Sequence, residues 1–170
     1  MTRRRGQPQA RRRVALGVWL GSALAFCALL PAPARAALSD ADKQTIAELS
    51  LQWAIEGGIG DFKLVKDPSS LVVANFNLPK DVKLALPGRA IQLFSLLRIQ
   101  AEANHGGDFL YFRFNRLQGD GEHAKVAIAL IWAVAEHSAT QYLSGGGATL
   151  DFEKRDGKWR LQPVMNRWMS

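Results

Sequence analysis

The hydrophobic positions after residue 38 first follow a helical spacing. Ser39 and Asp42 stand three residues apart, as in a capping box at the start of a helix. The apolar residues that follow at helical intervals are Ile46, Leu49, Trp53 and Ala54. Gly57 and Gly58 then interrupt the spacing. The pattern therefore predicts an amphipathic helix over about residues 39–56, with its apolar stripe in the core.

The next apolar runs change to a strand pattern, and one of them has two interpretations. The β-branched run Leu71–Phe76 lies between prolines and predicts a strand. The apolar residues after Pro87 fit a helix that begins there. Alternatively, Ala90–Phe94 forms a strand, and Ser95 caps a helix over Leu96–Asn104. Both interpretations place a helix over 96–104.

The last third of the chain alternates apolar and polar residues in four segments. These predicted strands are Phe109–Leu117, Lys125–Glu136, Ala148–Lys154 and Lys158–Trp168. Short connections that contain glycine favour antiparallel neighbours. A two-residue Asp156-Gly157 turn of type I′ would pair Phe152 with Leu161, Glu153 with Arg160, and Arg155 with Lys158. One register thus joins an apolar pair and an oppositely charged pair.

The longest predicted strand has two different faces. Its large side chains are Val126, Ile128, Leu130, Trp132 and Val134, and they predict the floor of the core. Its small side chains are Ala127, Ala129, Ala133 and Ala135, and they form a flat surface. That surface fits a homodimer interface or a face that loops cover, and the sequence does not separate the two.

Three glycines, Gly145, Gly146 and Gly147, precede the third of these strands. A phosphate-binding loop requires a Lys-Ser/Thr pair and then a helix, but the sequence continues as Ala148–Lys154 with strand alternation. Glycine in a strand usually marks a bulge or a sharp bend. We therefore expect these glycines, like Asp156, Gly157 and Trp159 in the hairpin, to have structural roles.

Charge separates the first 36 residues from the rest. The chain has 22 Lys and Arg against 15 Asp and Glu, and seven of the arginines lie in residues 1–36, which contain no acid. Removing those seven leaves 15 basic residues against 15 acidic ones. The basic character is therefore no sign of nucleic-acid binding, and we expect no nucleic-acid partner.

Residues 1–36 have the order of a secretory signal peptide. Arginines come first, the apolar run Val14–Leu30 follows, and Ala34-Arg35-Ala36 forms a small-x-small cleavage site. We expect export, by the general or the twin-arginine route, to the periplasm or the medium after cleavage before Ala37. The alternative is an uncleaved N-terminal anchor, which would be the only membrane contact. Residues 37–170 then form a single domain.

The order of elements resembles the nuclear transport factor 2-like superfamily, a cone-shaped α+β fold shared with ketosteroid isomerases and polyketide cyclases. The stretch "LPGRAIQLF" is similar to the family's Gly-x-x-Ala-Ile-x-x-Phe helix start, and "FEKRDGKWRL" is similar to its Asp-Gly-Lys-Trp hairpin. The resemblance covers residues 39–168. It implies N-terminal helices on a curved antiparallel sheet, a cystatin-like roll, with Trp159 packed on the sheet.

Few residues are candidates for chemistry. His105, His123 and His137 are too scattered for a metal site, and the only cysteine, Cys27, lies in the leader, so we expect no metal and no cofactor. The isomerases' paired Tyr and Asp have no counterpart here. The candidates for lining an apolar pocket are Trp53, Phe94, Tyr111, Arg113, Trp132 and Glu136.

Two functions remain open at this point. The first is a non-catalytic module for ligand binding or assembly, with a small apolar ligand in a pocket under the curled sheet. The second is an isomerase, lyase or cyclase in which Glu136, next to Trp132 in an apolar pocket, acts as general acid/base. The alternative interpretation of Glu136 is that it emerges into solvent where the strand ends, since buried acids are rare without a partner.

Overall fold

The computed structural model describes residues 36–140, 142, 145–164 and 166–168. The signal peptide predicted for residues 1–36 therefore lies almost entirely outside the described residues. The first helix, α1 (Asp40–Trp53), begins after Ser39, whose hydroxyl oxygen accepts a hydrogen bond from the backbone N–H of Asp42 at 3.1 Å. The predicted helix and its cap are confirmed.

The buried stripe of α1 shares Ile46 and Ala54 with the predicted one and differs from it at the other positions. The buried residues are Ile46, Ala47, Ser50 and Leu51, and Ala54 follows directly after the helix. Leu49 is 37% exposed, so its predicted place in the core is wrong. Ser50 occupies the core instead, because its hydroxyl donates to the Ile46 carbonyl at 2.7 Å and is satisfied within the helix.

The chain then forms a strand, β1 (Ser70–Ala74), a second strand, β2 (Ala90–Phe94), and a helix, α2 (Leu96–Gly106). The hydroxyl oxygen of Ser95 accepts a hydrogen bond from the Arg98 N–H at 3.2 Å. The strand-then-helix interpretation of this stretch is confirmed, and the helix start implied by the family resemblance is wrong. Residues 90–94 are extended because they pair in parallel with β1.

The remaining strands form the antiparallel part of the sheet. They are β3 (Phe109–Gly119), β4 (His123–Ala133), β5 (Gly147–Arg155), β6 (Lys158–Leu161) and β7 (Asn166–Trp168). Asp156 and Gly157 both have positive φ, 52° and 73°, as a type I′ turn requires. All three predicted hairpin pairs are present, so the predicted register is confirmed.

The predicted last strand is divided in two. Phe152 pairs with Leu161, but Thr149 pairs with Asn166. The chain from β6 to β7 is therefore two residues longer than the stretch of β5 that it lies beside. Pro163 falls in this interruption and has no N–H to donate to a ladder.

The sheet is mixed, with the strand order β2-β1-β3-β4-β5-β6 and with β7 beside β5. The prediction of an antiparallel sheet is confirmed from β3 to β7 and wrong for β1, which is parallel to both β2 and β3. The reason lies in the two connections, residues 75–89 and α2. Each of them brings the chain back to the end of the sheet at which the previous strand began, so the next strand runs in the same direction. The architecture is α+β, with a curled sheet that forms a half-barrel and few helices.

The two helices lie on opposite faces of this sheet. Alternate residues of β3 belong to different apolar clusters: Phe112 and Phe114 pack with α1, whereas Tyr111 packs with Ile99 and Ala103 of α2. Every strand from β1 to β6 contributes to the larger cluster, around which the sheet curls. The α2 side carries a smaller cluster.

The alanine face of β4 is partly covered by this second helix. Ala129 and Ala133 are both 5% exposed, and Ala133 packs in the cluster of α2. Ala127 is half-buried, and Ala135 lies beyond the end of the strand. The second helix therefore covers part of the flat surface that fitted a homodimer, and a homodimer through this face stays a prediction.

A half-buried polar cluster joins α1 to the hairpin of β5 and β6. One Asp42 oxygen accepts hydrogen bonds from Lys154 Nζ at 2.8 Å and from Trp159 Nε1 at 2.7 Å, and the other accepts from the Ser39 hydroxyl at 2.7 Å. Chiefly through the bond from Lys154, and then those from Ser39 and Trp159, the pKa of Asp42 is lowered to about 2. Trp159 is buried in the larger cluster.

Candidate functional site

The structure does not bring the six predicted pocket residues together. Trp53 and Trp132 pack at the edge of the larger cluster, whereas Phe94 and Tyr111 belong to the cluster on the opposite face. Trp132 stacks on Tyr142 with ring centroids 4.1 Å apart. Arg113 is half-buried, and its Nε donates to the Asn115 side chain at 2.7 Å. A single apolar pocket built from these residues is therefore absent from the described part of the chain.

Glu136 emerges into solvent beyond the end of its strand, which is one of the two interpretations that the sequence left open. The strand β4 ends at Ala133, and Glu136 is exposed in the following turn, where its N–H donates to the Asn104 side chain at 3.0 Å. The apolar environment that the general acid/base hypothesis needs is not present around this carboxylate. We therefore set aside an enzyme that uses Glu136.

The three glycines lie against the backbone of β4. Gly146 has a φ of +90°, and its carbonyl accepts a hydrogen bond from the Leu130 N–H at 2.9 Å. A Cβ on Gly145 would lie 2.9 Å from the Leu130 carbonyl oxygen. After Gly147 the chain continues as β5, so the strand that the sequence predicts after the glycines is confirmed and no helix follows them.

A small cavity lies between Gly147, the first residue of β5, and the residues that follow α1. It encloses about 320 Å³ and is lined by Gly57, Gly58, Ile59, Gly60, Gly147, Arg167 and Trp168. We call it the glycine–tryptophan cup. Four of its seven lining residues are glycines, so main chain forms much of its wall.

The α1 side of the cup follows from the way that helix ends. Gly57 adopts a φ of +100°, and the Ile59 N–H bonds to the Ala54 carbonyl at 3.2 Å, which closes a π-type turn over Ala54–Gly58. A Cβ on Gly58 would lie 2.5 Å from the Trp53 ring. Glycine is required at this position because the indole of Trp53 packs directly on it.

The sheet side of the cup has the same arrangement. Gly147 pairs with Trp168 of β7, and a Cβ on Gly147 would lie 2.5 Å from the Trp168 ring and 2.6 Å from the Ile128 carbonyl oxygen. Each of the two tryptophans thus packs on a glycine that no other residue could replace without a shift.

Arg167 supplies the charge at the cup. Its guanidinium carbon lies 5.2 Å from the centre of the Trp53 ring, a cation–π contact. No carboxylate forms an ion pair with Arg167 among the described residues. An exposed guanidinium held over an indole can still donate several hydrogen bonds to an anion.

A second, more open groove runs beside α2, and three of its four charged side chains already have partners within the chain. It has a volume of about 460 Å³, and Phe94, Phe109 and Arg98 are among its lining residues. Arg98 lies over the Phe94 ring at 3.8 Å and forms an ion pair with Glu102 at 3.4 Å. Asp108 accepts from the Ser138 hydroxyl and the Ala135 N–H, bonds that hold the pKa of its carboxyl below the usual range. Arg98 is therefore less available to an anionic ligand than Arg167 is, and Lys66 is the cation of this groove that has no ion pair among the described residues.

Sequence reasoning found part of the cup and missed the rest. Trp53 was a pocket candidate and Gly147 a structural one, but Gly60, Arg167 and Trp168 were not singled out. The available signal was a second glycine-rich stretch, "GGIG" at 57–60, together with tryptophans at 53 and 168. Their contact depends on the pairing of β7 with β5, which no local pattern specifies.

No metal or membrane chemistry is visible in the part of the chain that the structure describes. It contains no group of three or more His, Cys, Asp or Glu side chains placed to hold a metal ion. None of the helices described is long and apolar enough to cross a membrane. Comparisons with protein-family models, with curated proteins and with solved structures found no match for this chain.

Proposed function

We propose that the protein is an exported binding module that holds a small anion with a flat apolar body in the glycine–tryptophan cup. The observation that carries this proposal is the pairing of Arg167, which has no carboxylate partner among the described residues, with a cavity walled by glycine backbone and the Trp168 ring. A volume of about 320 Å³ is at the lower end of the cavities that hold small ligands.

The shape of the cup favours a flat ligand. Gly57 and Gly60 have no atoms within 4 Å of where a Cβ would stand, so a ligand can approach their main chain closely. The Trp168 ring and the Ile59 side chain supply apolar contact area. Arg167 would pair with a carboxylate or a similar anion at one end of the ligand.

The lining supports binding rather than turnover. Its residues are glycines, an isoleucine, an arginine and a tryptophan, and none of these commonly serves as a general base or a nucleophile. Binding and orientation are what such a set of side chains can supply.

The cone-shaped roll of the nuclear transport factor 2-like superfamily remains our proposal for α1 and the strands β3–β7. Support comes from the predicted hairpin register and from Trp159, which is buried in the cluster around which the sheet curls. The parallel pair of β1 and β2 and the position of α2 depart from what the resemblance implied.

The cup can be tested with naphthoate and with the matching neutral naphthyl alcohol as probes. We expect naphthoate to shift the indole N–H signals of Trp53 and Trp168 in an NMR titration, and the alcohol to bind more weakly. Arg167→Ala should weaken naphthoate binding at least about tenfold, because a hydrogen bond to a charged group is lost. Arg160→Ala, which removes an exposed arginine from neighbouring β6, is the control and should leave binding unchanged. Equal binding of the two probes, or no effect of Arg167→Ala, would contradict the proposal.

A further inference from the structure

The sheet ends in two very different edges. The edge formed by β6 and β7 is interrupted at Pro163 and carries Lys158, Arg160 and Arg167, features that discourage strand pairing. At the other end, β2 pairs with β1 alone, and its five residues, Ala90–Phe94, include no charge and no proline. This edge lacks the usual protection against another strand.

The hydrogen-bond phase of β2 shows which backbone groups face outwards. The Ala90 N–H donates to the Ser69 carbonyl at 2.8 Å, and the Phe94 carbonyl accepts from the Asn75 N–H at 2.9 Å. Residues 90, 92 and 94 therefore turn their N–H and C=O groups towards the β1 side, and Ile91 and Leu93 turn theirs away from it. Outside the ladder, none of the backbone bonds between described residues involves Ile91 or Leu93.

Ile91 and Leu93, whose backbone N–H and C=O groups face away from β1, can pair with the same two residues of a second chain. In an antiparallel arrangement centred on Gln92, Ile91 of one chain lies opposite Leu93 of the other, and each such pair exchanges two hydrogen bonds. The arrangement closes after two chains, because the two surfaces are the same. All the outward donors and acceptors of Ile91 and Leu93 are then satisfied.

Exposed apolar side chains lie at the same place. Leu97 is 86% exposed, Leu96 is 41% exposed and Phe76 is 48% exposed. All three lie near the C-terminal end of β2, since Asn75 bonds to the Phe94 carbonyl and α2 starts at Leu96. Antiparallel pairing sets this end of one chain beside the start of β2 in the other, where Ala90 is exposed and the preceding Arg89 is engaged by the Phe62 ring and the Pro68 carbonyl.

We infer that a second copy of this chain pairs with β2 and forms a two-fold dimer whose sheets join through Ile91 and Leu93. The apolar, uncharged character of the strand on both sides of Gln92 makes the edge complementary to itself in the antiparallel direction. The interface shares no residue with the glycine–tryptophan cup, so a test of the dimer and a test of the ligand site can have different outcomes.

The pairing across the axis supplies the test. Gln92 is exposed and would face Gln92 of the other chain, so Gln92→Lys would set two like charges opposite each other in the dimer. In the isolated chain the substitution removes one exposed hydrogen bond, from Gln92 Nε2 to the Ser70 hydroxyl. Analytical ultracentrifugation of the purified protein should show a dimer, and Gln92→Lys should weaken it about fivefold. Gln92→Glu should do the same, and an equal mixture of the two variants should restore association through a Lys–Glu pair.

Thr45→Lys, the same charge change at an exposed position of α1, is the control and should leave the dimer intact. Circular dichroism and thermal unfolding of each variant would show that the fold is kept. A monomeric wild-type protein would overturn the inference. So would a dimer that Gln92→Lys does not weaken, or a Lys and Glu mixture that associates no better than either variant alone.

Discussion

At the scale of single residues, this protein depends on glycines that make room for aromatic rings. Gly58 and Gly147 stand where a Cβ would lie 2.5 Å from an indole ring, Trp53 in one case and Trp168 in the other. The glycine-rich stretches thus serve packing, and the same missing side chains create the cup that we propose as a ligand site.

Two neighbouring glycines separate these roles experimentally. Gly58→Ala should lower the free energy of unfolding by at least about 1 kcal/mol, because the new methyl group meets both the ring and the carbonyl oxygen of Trp53 at 2.5 Å. Gly60→Ala is the matched control and should be neutral, since nothing lies within 4 Å of its Cβ position. Urea denaturation measures both variants. Equal stability of the two would show that Trp53 does not pack on Gly58 as described.

At the scale of elements, α1 is held to the hairpin of β5 and β6 by one carboxylate. Asp42 receives hydrogen bonds from Lys154 and Trp159, residues more than a hundred positions away in the chain. Its pKa falls from 3.8 to about 2, so the folded state favours the charged form. The same carboxylate also accepts a hydrogen bond from the Ser39 hydroxyl at the cap of α1, so a local and a long-range contact depend on one side chain.

This contact predicts a specific acid sensitivity. Because the pKa of Asp42 is lower in the folded than in the unfolded chain, its contribution is fully present above about pH 5 and is lost as the pH falls towards about 2. Asp42 is partly exposed, so we expect about 1–2 kcal/mol rather than the full value of the shift.

The measurement is urea denaturation at several pH values for the wild type and two variants. Asp42→Asn should be less stable than the wild type by that amount at about pH 7, and the difference should narrow towards about pH 2. Asp40→Asn is the control from the same helical turn, where the side chain is 77% exposed and bonds only to Lys43. If acidification lowers the stability of the wild type and of Asp42→Asn by the same amount, the Asp42 carboxylate is not the source of the acid sensitivity.

At the scale of the whole molecule, residues next to the predicted cleavage site already contact the sheet. Ala37 forms an isolated bridge with Asp120, and Leu38 is 5% exposed in the larger cluster. The predicted mature chain would therefore begin with residues that contact the sheet.

Export can be checked by mass spectrometry of the protein recovered outside the cytoplasm. We expect an N-terminus at Ala37, because Ala34-Arg35-Ala36 has the small-x-small pattern of a signal peptidase site. Ala36→Phe should block cleavage and leave the precursor, whereas Arg35→Gln, at the tolerant middle position, should be cleaved normally. An intact Met1 in a membrane fraction would show that the segment is an anchor.

The sequence by itself determined the elements whose signals are local. The cap at Ser39, the strand Ala90–Phe94 as one of two interpretations, and the Asp156-Gly157 hairpin with its register all depend on side chains within a few residues of each other. Caps, turns and alternation act over that range, so they can be read from a single chain.

Only the tertiary structure decided how these elements meet. It exposed Leu49 and buried Ser50, placed α2 on the face opposite α1, set β1 parallel to its neighbours, and left Glu136 in solvent. It also brought Gly57–Gly60 against Gly147 and Trp168, across about ninety residues of chain. The physical reason is that strand order, cavities and the choice of buried face arise from contacts between segments that are distant in the chain. The local spacing of apolar residues carries no information about those contacts.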